Sequence, residues 1–87
     1  MNKTVKKILS TMHQAGVVFN VNADTKSVEV RYTTPQDKLV TSNIPALWFE
    51  SPYLACFSLL EIPELVANLE PKYLKMLHTH VSAGAGK

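Results

Sequence analysis

The stretch "AGVVFNVNADTKSVEVRY", residues 15–32, constrains the fold more than any other part of the chain. Apolar and polar residues alternate on both sides of a short polar centre. Val17, Phe19 and Val21 share one face of the first run, and Val28, Val30 and Tyr32 share one face of the second. The opposite faces carry Val18, Asn20 and Asn22, then Ser27, Glu29 and Arg31. A period of two is the pattern of strands with one buried and one wet side. "ADTK" between them suits a turn, because aspartate can hydrogen-bond nearby backbone there. The reading is a β-hairpin, and an isolated hairpin is marginal in water. It needs an apolar partner from elsewhere in the chain.

The segment before it supplies one. Val5, Ile8, Leu9 and Met12 repeat at the spacing of one helical face, and Lys3, Lys6, Lys7 and Ser10 take the others. This predicts a helix starting at Asn2 or Thr4 and ending at Gln14, with Gly16 as its stop. Beyond the hairpin, "TTPQDK" is expected to break regular structure, and "LVTSN" to form a short third strand or an extended loop. Pro45, Pro52 and Pro63 each suit the first turn of a helix, where the missing N–H costs nothing. Ser51 reads as an N-cap. These signals predict a turn near 45–49, helices near 52–60 and 63–69, and a last helix over 71–81. Tyr73, Leu74, Leu77 and Val81 form the stripe of that last helix.

The expected architecture is therefore α+β: one domain over residues 1–82, helix–hairpin–helices, mostly helical in its C-terminal half. Residues 83–87, within "SAGAGK", are expected to be a flexible tail. A chain of 87 residues holds one core and buries roughly 60–65% of its unfolded surface. Cys56 is the only cysteine, so no internal disulfide forms, which suits a reducing compartment. The apolar stretch "IPALWFESPYLACFSLL" is broken by Pro45, Glu50 and Pro52, and "MNKTVKK" leads into no apolar leader segment. The expected location is cytoplasmic, with no membrane contact.

Catalytic and metal chemistry find little support. His78 and His80 lie two apart, about 200° around a helix, so they do not face one metal together. With His13 they read as solvated residues near helix ends, where the dipole favours them. Cys56 sits in "YLACFSLL", an apolar setting that makes a core thiol rather than a nucleophile. "GAGK" lacks the first glycine, the following Ser or Thr, and the helix of a phosphate loop. No enzyme activity, cofactor or metal is expected.

Binding is the function left. The net charge is +2, and residues 1–38 carry +3 of it against −1 for the remainder. The second strand of the hairpin is expected to lie at an edge, where free N–H and C=O groups accept another extended chain. The partner surface would comprise Lys26, Val28, Glu29, Val30, Arg31, Tyr32 and Lys38. Lys26, Arg31 or Lys38 would then select an acidic peptide, unless the charges serve only to protect the edge. Trp48 and Phe49 are either core anchors or an exposed patch that adds to this surface. Lys3, Lys6 and Lys7 offer an alternative, a nucleic-acid contact from the first helix, though a denser basic stripe is usual.

The run "VKKILSTMHQAGVVFNVNADTKSVEVRYTTPQDKL" resembles the start of the TubC-type N-terminal docking domains of nonribosomal peptide and polyketide synthetases. The matching positions are Leu9, Gly16, Val17, Val21, Val28, Val30 and Tyr32. "LEPKYLKMLHTH" is similar to that family's closing helix. The resemblance implies an αββαα domain that binds a partner's terminal peptide along the second strand and can dimerise. The proline-punctuated segment 41–62 is longer than that family's. A free-standing small regulator or inhibitor, of the kind carried by phages or plasmids, is the alternative.

Overall fold

The computed structural model describes residues 2–85. Helix α1 (Lys3–Gln14) leads into strands β1 (Val17–Asn22), β2 (Ser27–Thr33) and β3 (Leu39–Pro45). A 3-10 turn (Ala46–Glu50) follows, then α2 (Pro52–Leu60), α3 (Pro63–Asn68) and α4 (Pro71–Ala85). The chain is α+β, with a three-stranded antiparallel sheet in the order β1-β2-β3.

Each element has a local cause. Asn2 caps α1: its side-chain oxygen accepts from the N–H groups of Thr4 at 2.7 Å and Val5 at 3.3 Å, satisfying two donors that a helix start leaves free. Gly16 then takes φ 91°, which lets the chain turn into β1. In the first hairpin turn the capping side chain is Asn22, not Asp24. Asn22 accepts from the N–H groups of Asp24 at 3.0 Å and Thr25 at 3.2 Å, and Lys26 closes the turn with φ 53°.

"TTPQDK" does not break the sheet. It is a second tight turn. The N–H of Thr34 donates to Lys38 O and that of Asp37 to Thr34 O, both at 2.9 Å. The Thr34 hydroxyl accepts from the N–H of Lys38 at 3.1 Å. Pro35 stands where its fixed φ favours a turn, and Asp37 takes the left-handed conformation at φ 64°. β3 therefore pairs directly with β2, from Thr33 opposite Leu39 to Ser27 opposite Pro45. The third strand expected as one option is real, and β2 becomes the central strand rather than an edge.

One face of the sheet meets the helices. Val17, Val28, Val30, Tyr32, Val40 and Ile44 join Val5, Ile8 and Met12 of α1 in a single core. Phe49, Leu59, Leu65 and Leu77 complete it from the C-terminal half. Phe49 meets Phe19 edge-on, with ring centroids 6.3 Å apart. The other sheet face is uncovered: Asn20, Arg31, Thr41 and Asn43 lie exposed on it. α4 runs past Val81, so residues 83–85 of the expected tail are helical, while 86–87 lie outside the described residues. The reason is contact: Gly84 lies so close to the Tyr53 ring of α2 that no side chain fits between them.

Candidate partner-binding surface

The residues assigned to an edge on β2 separate in the structure. Val28, Val30 and Tyr32 are buried in the core face. Their backbone groups also serve neighbouring strands, because β2 pairs on both sides. They are unavailable to a partner, which corrects the expectation of strand addition at β2. Glu29 and Arg31 lie on the wet face, where Arg31 Nε stands 3.7 Å from Glu29 Oε1. Lys26 and Lys38 occupy the two turns and are exposed. These four do not converge on one pocket. Lys3, Lys6 and Lys7 stand exposed along α1.

"WF" at 48–49 divides. Phe49 is 2% exposed and anchors the core, whereas Trp48 is 36% exposed. Trp48 stacks on Phe57 at 6.3 Å between centroids, and Phe57 lies 6.0 Å from the Tyr53 ring. An aromatic ledge thus runs along the surface from the 3-10 turn onto α2, with the 74% exposed Leu47 beside it.

The ledge borders a groove of about 400 Å³ between β3 and the end of α2. Ser42, Asn43, Ile44 and Pro45 form its strand side, and Trp48, Phe57, Ser58, Glu61 and Ile62 form the rest. The free edge of β3 runs along this groove. Bonded pairs alternate along an antiparallel ladder, and the phase is set by its two end bonds. Thr34 N–H donates to Lys38 O, and Ala46 N–H donates to Lys26 O at 2.9 Å. Counting between them, Val40, Ser42 and Ile44 turn their backbone groups to β2. Leu39, Thr41 and Asn43 turn theirs outward. Pro45 offers only a carbonyl, which suits a proline at an edge.

No described strand pairs with that edge. Charge does not protect it either: β3 reads "LVTSNIP", and the charges sit on β2 instead. A hollow of about 660 Å³ at the first hairpin is mixed in character, with Val21 and Ala23 beside Asn20, Asn22, Ser27, Glu29 and Asn43. Its one ionised group already faces Arg31, so it is the weaker candidate.

No three His, Cys, Asp or Glu side chains gather among the described residues as metal ligands. Burial pushes the Cys56 thiol up to about 12, so it stays protonated and poorly nucleophilic. Among the described residues no helix is long and apolar enough to cross a membrane. Comparison with protein-family models, curated proteins and solved structures finds no match.

The sequence pattern does not single out the β3 edge as a candidate, nor Phe57, Glu61 and Ile62. The polar Ser42 interrupts the alternation of Val40 and Ile44. Phe57 lies within a run that is apolar almost all round, so periodicity alone gives it no outward face.

Proposed function

We propose that this chain is a protein-interaction module that takes up an extended segment of a partner protein along β3. The observation that supports this reading is the coincidence of three features. The β3 edge is bare and uncharged, a groove runs beside it, and exposed aromatic rings line that groove. Natural edges are usually blunted by charge or covered. In strand addition the backbone bonds fix the segment, and alternate side chains enter the adjacent groove. Tryptophan at such a rim is a common anchor of binding energy. A docking-domain role on a larger assembly and a free-standing regulator both fit this chemistry.

The test is selection of displayed random heptapeptides on the native protein, followed by binding to Asn43→Pro. That substitution removes an outward N–H but no bond between β2 and β3. Selected peptides are expected to lose about tenfold or more in affinity, ~1.4 kcal/mol, while circular dichroism stays unchanged. Peptides that bind Asn43→Pro as tightly as the native protein, or a selection that yields none, would overturn the proposal.

A further inference from the structure

Resting on that reading, we infer that the segment is apolar and basic: an aromatic or aliphatic residue with Arg or Lys two positions away from it. The charge of the groove carries this. Glu61 is the ionised side chain in its lining, and the remainder is aromatic, aliphatic or hydroxyl and amide. Glu61 is exposed and has no salt bridge among the described residues. It also caps the C-terminal end of α2, where the helix dipole is negative. Carboxylate and dipole therefore attract a cation at the same place.

Phe57 and Glu61 are four apart and share a face of the helix. The apolar and acidic parts of the groove are thus one turn of helix apart, about 5–6 Å. Side chains two apart on a strand share a face and are separated by nearly 7 Å. One extended segment reaches both. The preference is opposite to the acidic peptide that Lys26, Arg31 or Lys38 would select. Those three residues do not line this groove.

The test uses capped heptapeptides Ser-Val-Thr-Phe-Thr-Arg-Ser and the same peptide with Glu in place of Arg. Trp48, the only tryptophan, reports binding by its fluorescence, and the amide shifts of Thr41 and Asn43 report edge pairing. The Arg peptide is expected to bind at least tenfold more tightly than the Glu peptide. Glu61→Lys is expected to reverse the order, and Arg31→Glu to leave it unchanged. Equal binding of the two peptides, with Thr41 and Asn43 shifting, overturns the charge assignment and leaves strand addition standing. No response to either peptide, together with failure of the displayed selection, overturns both. A dimer in sedimentation velocity that Thr41→Lys dissolves gives the edge to a second copy and also overturns the peptide assignment.

Discussion

Cys56 shows how one residue's surroundings decide its chemistry. It is fully buried beside Ala55 and Leu59, and burial disfavours its thiolate. Its ordinary value of 9.0 rises to about 12 in the fold. Below pH 9 both folded and unfolded chains hold the proton, and the thiol costs nothing. Between about pH 9 and 12 the unfolded chain loses it while the folded chain keeps it. Stability then falls as pH rises, by ~1.4 kcal/mol per pH unit from this group. Comparing alkaline unfolding of the native protein with Cys56→Ala isolates that slope from the lysines and tyrosines. The native slope is expected to be steeper. A thiol reagent at pH 8 is expected to label Cys56 only after denaturant is added.

Among the elements, α4 departs most usefully from expectation. Its stripe of Tyr73, Leu74, Leu77 and Val81 announced the helix, but small residues after Val81 announced an end. Gly84 instead lets α4 continue against Tyr53. Replacing glycine by alanine inside a helix normally gains ~1 kcal/mol. Forcing a methyl group into a filled contact costs ~1–3 kcal/mol. Gly84→Ala is thus expected to destabilise by ~1 kcal/mol, read from the denaturant midpoint, whereas a free tail would show a small gain. The hairpin was legible because both of its strands alternate without interruption. The second turn was obscure because its cause is a contact: the Thr34 hydroxyl holds the N–H of Lys38, and no spacing rule predicts that. The placing of β2 inside the sheet followed from this turn, and with it the loss of Val28, Val30 and Tyr32 as a binding edge. The β3 groove was illegible for a related reason. Its two sides, Ser42–Pro45 and Phe57–Ile62, meet only after the 3-10 turn reverses the chain.

At the scale of the whole molecule, the core is shared rather than divided. The face of β2 that holds Val28, Val30 and Tyr32 belongs to one cluster with Phe49, Leu59, Leu65 and Leu77. Helix and hairpin share their core with the C-terminal half. A fragment of residues 1–38 is expected to be unstructured by circular dichroism, and the full chain to unfold in one transition. Helical signal and Trp48 fluorescence should give the same midpoint. A folded fragment, or two separate midpoints, would contradict a single core. The short edge carries a kinetic consequence. Beside the groove, Thr41 and Asn43 offer four backbone groups and Pro45 one carbonyl. At ~0.5–1.5 kcal/mol net for each bond, the five groups together give ~2.5–7.5 kcal/mol, which reaches only the lower part of the ~4–15 kcal/mol cost of bringing two molecules together. A segment held by those backbone bonds alone leaves quickly. Long residence calls for a second attachment, through a tether or a neighbouring contact, that keeps the segment at millimolar local concentration.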